Sequence, residues 1–209
     1  MQKIYVFIVS FVLFLIFIVS GIMTYNNKEK KYRLRNHFPF ELETEKTFPF
    51  LRLLFSLYVV SSMIFHFFFF LFFRSIHSPN FVQNIFLFFS LLLDLLTLMI
   101  FLSKISLSFK THIAFASFYF ALSLLINIYA IFYIYRSYYY SYYYMIYFVI
   151  NFLVQLVLLL LPNMKKSFIV DQNAKEGRSK YNHFAFCEWL FMFLNIGFNF
   201  MLLLIDIIG

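Results

Sequence analysis

The stretch Phe184-Ala-Phe-Cys-Glu188-Trp-Leu-Phe-Met-Phe-Leu-Asn195-Ile-Gly-Phe-Asn199-Phe-Met-Leu-Leu-Leu-Ile-Asp206 decides the fold class. It is apolar over a length that crosses a bilayer, and four strongly polar residues interrupt it. At ~100° per residue, with Glu188 at the origin, Asn195 falls about 20° to one side, Asn199 about 20° to the other and Asp206 on the line. A single polar stripe on a helix of Phe, Leu and Ile does not face lipid. An ionisable side chain in hydrocarbon costs a few kcal/mol or more, so it turns toward a bundle interior or a wet cavity. The stripe predicts a helix that lines something, with Glu188 near one membrane face, Asn195 near the middle and Asp206 near the other face.

The rest of the chain agrees. Of 209 residues, 63% are hydrophobic and only 12% charged, roughly half the charge of a soluble domain. Runs of about 20 apolar residues mark membrane spans, at Ile4–Met23, Leu51–Phe73, Phe81–Ser103, Ile113–Tyr135, Met145–Leu161 and Phe184–Ile205. The predicted fold is therefore all-α, a polytopic membrane protein with six transmembrane helices forming one transmembrane domain over residues 1–209. The first run is longer than a signal-peptide core and lacks a small-residue cleavage site, so it reads as a helix of the mature protein. Tyr135–Tyr144 is too polar for the bilayer core and reads as an interfacial turn rich in tyrosine. The first loop, Thr24–Phe50, and the fifth, Pro162–His183, have no pattern able to fold alone. They are expected to lie on the membrane surface or to cover the bundle mouth.

Charge sets orientation. Fourteen of the 17 Lys and Arg residues fall in the loops after spans one, three and five, leaving Lys3, Arg74 and Arg136 for the other side. The positive-inside rule places the odd loops in the cytosol and both termini outside or in a lumen. The net charge of +8 is thus an orientation and headgroup signal, and membrane lipids rather than nucleic acid are the expected partners. No soluble protein partner is indicated. A single cysteine, Cys187, excludes an internal disulfide and a cysteine zinc cluster, and reads as an inert core thiol. No phosphate loop, nucleophile elbow or zincin helix occurs, so neither a metal nor a cofactor is expected. The 35 Phe and 16 Tyr read as compositional bias, and Phe67–Phe70 is not a site.

Other spans carry isolated polar groups: His66 in the second, Asp94 in the third, Asn127 in the fourth, and Asn151 with Gln155 in the fifth. The amides are expected to join helices by hydrogen bonds worth about 1 kcal/mol each. Asn151 and Gln155, four residues apart, share a face. Asp94 is the most exceptional single residue, because nothing on its own helix can neutralise it and Lys104 is too distant. His66 and Asp94 read as a buried pair or as site residues.

Tyr181, Phe184-Ala185, Glu188-Trp189, Asn195-x-x-Phe198 and the terminal Asp206 resemble the last span of the Frag/DRAM/Sfk family. They are most like its post-GPI-attachment-to-proteins factor 2 branch, while Cys187-Glu188-Trp189 is also similar to DRAM-type members. The likeness covers about 25 residues. Asn199 stands where that branch has His, Asp206 lies one position later than expected, and only Pro39 and Pro49 are available to match the family's Pro-Ser motif in the first loop. The resemblance implies a Golgi membrane protein that acts in returning a saturated fatty acid to lyso-GPI-anchored proteins, as acyltransferase or as its partner. It would make GPI-anchored proteins the partners. The DRAM likeness implies a non-enzymatic regulator or scaffold instead, in endoplasmic reticulum or lysosomal membranes. Acyl transfer requires a general base and donors for an oxyanion. Glu188 or His66 is the candidate base, with Asn195 and Asn199 as donors, and Asp206, Trp189 and Asp94 join them as candidate cavity-lining residues. A lyso-GPI substrate is luminal, whereas the charge count puts Glu188 at the cytosolic end and Asp206 at the luminal end.

Overall fold

A computed structural model describes residues 2–26, 34, 39–42, 48–73, 80–106, 109–136, 142–161 and 183–208. Six long helices account for nearly all of them: α1 Gln2–Asn26, α2 Phe48–Phe73, α3 Asn80–Ser106, α4 Phe109–Arg136, α5 Tyr142–Leu160 and α6 His183–Ile208. Each is long and apolar enough to cross a membrane, and no strand occurs among the described residues. In hydrocarbon a backbone must satisfy its own polar groups, and a continuous helix does so. Proline placement allows it. Pro49 sits in the first turn of α2, Pro79 just before α3 and Pro162 beyond the end of α5, where a missing N–H breaks no helical bond.

Helices adjacent in sequence pack against each other from α1 through α5, and α6 touches α5, α4 and α1. The last helix therefore closes the bundle. Its core is aromatic. Phe17, Phe55 and Phe101 meet where α1, α2 and α3 converge, with the last two rings stacked at 4.1 Å. Phe198 of α6 packs edge-on against Phe148 of α5 and Phe86 of α3. The phenylalanine run on α2 divides by face: Phe67 is exposed while Phe69 and Phe70 are buried. Helical geometry sorts the rings between the outer face and the core.

A 3-10 turn, Pro39–Leu42, covers one end of the bundle and packs on α1, α3 and α6. Leu42 is completely buried over Gly21 of α1, where a β-carbon would come within 2.9 Å of the Leu42 Cβ. This part of the first loop caps the mouth. Residues 27–33, 35–38 and 43–47 of that loop, residues 162–182 of the fifth loop, Tyr181 among them, and residues 137–141 of the tyrosine-rich turn lie outside the described residues.

The helices run several residues past the apolar windows at most ends. A hydropathy window measures the hydrocarbon slab, whereas a helix continues into the headgroup layer. This difference is consequential at α4, which begins at Phe109. Sequence reading starts that span at Ile113 and leaves His112 in a loop; the structure makes His112 helical and buried.

Candidate functional site

The polar stripe of α6 is spent on other helices, one residue after another. Near the start of α6, Glu188 is fully buried and its Oε1 lies 2.9 Å from Nε2 of His112 on α4. The other ring nitrogen of His112 lies 3.2 Å from the carbonyl oxygen of Ile100 on α3. A backbone carbonyl only accepts, so Nδ1 of His112 carries a proton. Whether the second proton sits on Nε2 or on the carboxyl, the His112–Glu188 pair is neutral overall. Glu188 Oε2 has no partner among the described residues.

Two turns further along, Asn195 reaches α4. Its side chain lies 2.7 Å from the Tyr119 hydroxyl and 2.9 Å from Ser123 Oγ. Ser123 also lies 3.0 Å from Gln155 Oε1 on α5. Gln155 Nε2 donates to Asn151 Oδ1 at 3.1 Å, and Asn151 Nδ2 points at the Leu194 carbonyl of α6. Asn195 Nδ2 donates to the Tyr119 hydroxyl oxygen, and Ser123 Oγ faces two acceptors, Asn195 Oδ1 and Gln155 Oε1, to one of which its single proton goes.

Asn199 takes part in a closed ring. Ser62 Oγ donates to Asp94 Oδ1 at 2.9 Å, and Asn199 Nδ2 lies 3.4 Å from Ser62 Oγ as its donor. His66 Nδ1 lies 2.8 Å from Asp94 Oδ2, and His66 Nε2 lies 2.8 Å from Asn199 Oδ1. The serine proton is committed to Asp94, so Asn199 presents its amide to Ser62 and its oxygen to His66. Nε2 of His66 is therefore protonated. With one further proton shared between Nδ1 and Asp94, this pair too is neutral overall. Asp94, which no residue of its own helix can neutralise, is neutralised from α2. At the far end Asp206 Oδ1 lies 2.6 Å from Lys3 Nζ of α1, which also lies over the Phe69 ring. That contact brings residues 3 and 206 to the same end of the bundle.

A cavity with about 20 Å3 open to the centre of a water molecule lies among α2, α3, α4 and α6. Four of the residues nominated from the sequence line it: His66, Asp94, Asn195 and Asn199. Glu188, Asp206 and Trp189 are not among its lining residues. Glu188 is paired with His112 and Asp206 with Lys3 at opposite ends of α6, and Trp189 is buried and stacked against Phe193 of its own helix. Asn127 departs from its expected role. Instead of joining helices, its amide donates to the Ser123 carbonyl one turn back at 2.8 Å. Gln155 and Asn151 do join helices, to α4 and α6. Cys187 is buried, and no group of three or more His, Cys, Asp or Glu residues able to hold a metal occurs among the described residues.

Sequence reading missed Ser62, Ser90, His112, Tyr119 and Ser123. Ser and Tyr are ordinary in membrane helices and attract no notice singly. The overlooked signal was spacing. Tyr58, Ser62 and His66 lie four residues apart on α2, Ser90 and Asp94 four apart on α3, and Tyr119 and Ser123 four apart on α4, each set forming one helical face. No family model, no curated protein and no solved structure matches the chain.

Proposed function

We propose that this protein is a multi-pass membrane factor in GPI-anchor lipid remodelling, serving the return of a fatty acid to lyso-GPI-anchored proteins in the Golgi. The observation that carries this reading is the fate of the α6 stripe. The residues that resemble the Frag/DRAM/Sfk family, Glu188, Asn195 and Asp206, together with Asn199, bind α4, α2 and α1 in turn. The likeness therefore extends to positions on which the architecture of this bundle depends.

Within that process, the partner role is favoured over catalysis by Glu188. Glu188 is fully buried and engaged with His112. His66 is bonded at both ring nitrogens, and the cavity beside it accommodates a water-sized molecule, not an acyl chain. The small volume of this cavity also supports a second reading, a DRAM-like membrane regulator or scaffold of the endoplasmic reticulum or lysosome.

Lipid mass spectrometry of GPI anchors from cells lacking the protein separates the two. Remodelling predicts a shift toward lyso or unsaturated anchors and lower surface levels of anchored proteins. An unchanged anchor profile removes the remodelling reading and leaves the scaffold. In the same cells Glu188→Gln is expected to restore the profile, because glutamine keeps the bond to His112. A well-expressed Glu188→Gln protein that fails to restore it would instead make Glu188 a proton carrier.

A further inference from the structure

The Asp94–His66–Asn199–Ser62 ring and the Tyr119–Asn195–Ser123–Gln155–Asn151 chain make no direct hydrogen bond across the gap between Asp94 and Tyr119 in the set described above. Both nevertheless open on the same cavity, since Asp94 and Tyr119 line it together. Ser90 lines it as well. Its side chain is only 1% exposed, and its Oγ has no hydrogen-bond partner among the described residues. A buried hydroxyl left unpaired costs about 1–3 kcal/mol, and native structures satisfy such groups with protein or with ordered water.

The cavity has the size and lining of a water site. About 10–15 Å3 available to the water centre holds one molecule, provided two to four polar partners surround it. Here about 20 Å3 is available. Ser90 Oγ offers a donor and an acceptor, the Asp94 carboxylate offers free lone pairs, and the Tyr119 oxygen accepts. A cation fits less well. Asp94 already faces the protonated edge of His66, and the pair is neutral without any ion.

We propose that the cavity binds one structural water, bridging Ser90, Asp94 and Tyr119 and so joining the ring and the chain into one network from α2 to α6. The bridged network is lateral: it ties five helices together at the level of Asp94 and Asn195. It also gives the proton shared by Asp94 and His66 a hydrogen-bonded neighbour beyond the ring, which the ring alone does not provide.

Water-edited solid-state NMR of the whole protein in lipid bilayers, with labelled serine and tyrosine, tests this without any substitution. Magnetisation is expected to pass from water to a buried serine and to a buried tyrosine ring. Both contacts should disappear in Ser90→Val, which fills the space with a methyl and removes the hydroxyl. No transfer to either residue in the unmodified protein means a dry cavity and overturns the proposal. A melting temperature that rises with sodium but not with choline at equal ionic strength identifies a cation site and also overturns it. As an independent readout, Asp94→Asn and Tyr119→Phe should interact several-fold in the unfolding equilibrium when Ser90 is present, and act independently in the Ser90→Val background. Equal interaction in both backgrounds refutes mediation by the water.

Discussion

Replacing Glu188 with leucine strips the partner from a histidine buried against two other helices. His112 Nδ1 is tied to the Ile100 carbonyl, so the ring cannot turn to hide its other nitrogen. Nε2 then faces an apolar side chain. Removing one partner of a buried pair costs about 3–5 kcal/mol, a shift of about two to four decades in the unfolding constant. Glu188→Gln is different in kind. The backbone carbonyl keeps a proton on Nδ1, so a neutral His112 presents the Nε2 lone pair, and the glutamine amide can donate to it. What is lost is charge assistance, about 1 kcal/mol. The double variant Glu188→Leu, His112→Leu removes both polar groups and should recover most of the leucine loss, because a buried pair replaced by apolar residues is often neutral in stability. Unfolding of the purified protein in detergent reads these differences. Trp189, the sole tryptophan, is buried beside Glu188 and reports by fluorescence, with far-ultraviolet circular dichroism as a probe remote from the substitution. The reasoning is refuted if glutamine proves as damaging as leucine, or if the two leucine substitutions simply add.

Three further outcomes are expected. Asp94→Leu should destabilise by about 3–5 kcal/mol, leaving His66 and Ser62 without their acceptor, whereas Asp94→Asn should cost about 1–2 kcal/mol; equal losses in chemical denaturation would show that the ring contributes only by packing. Lys3→Met should cost about 1 kcal/mol or less, since the pair with Asp206 is partly open to solvent and screened, and high salt should shrink the difference between variant and parent in thermal unfolding. Gly21→Ala should cost about 1–3 kcal/mol, because its β-carbon meets Leu42 at 2.9 Å on the Cβ, close to the backbone, where the 3-10 cap must move as a unit. Faster proteolysis within residues 27–47 would report that displacement, and an unchanged cleavage rate would argue against it.

Six spans were legible in the chain because lipid makes a demand that is local in sequence: about 20 residues, nearly all apolar, with the backbone bonded to itself. The stripe on α6 was legible for a related reason, since periodicity along one helix needs no knowledge of any other. That Asp94 required a partner from elsewhere was also legible, because burying an unpaired carboxylate is prohibitive. The identity of the partner was not. His66 lies 28 residues from Asp94 in sequence, and Asn199, which holds the other side of the His66 ring, lies 133 residues from His66; only the packing of α2, α3 and α6 brings each pair within 3 Å. His112 was invisible as a partner of Glu188 for a narrower reason: hydropathy opens the fourth span at Ile113, one residue past His112, and a helix does not stop where the hydrocarbon does. The separation of residues around the cavity from residues in ion pairs was likewise a tertiary decision. Glu188, Asn195, Asn199 and Asp206 share one line on α6, but the line crosses α4, α2 and α1 in succession, so each residue meets a different neighbour. Sequence determines that such a line must be buried; which neighbour each residue meets depends on how the six helices pack.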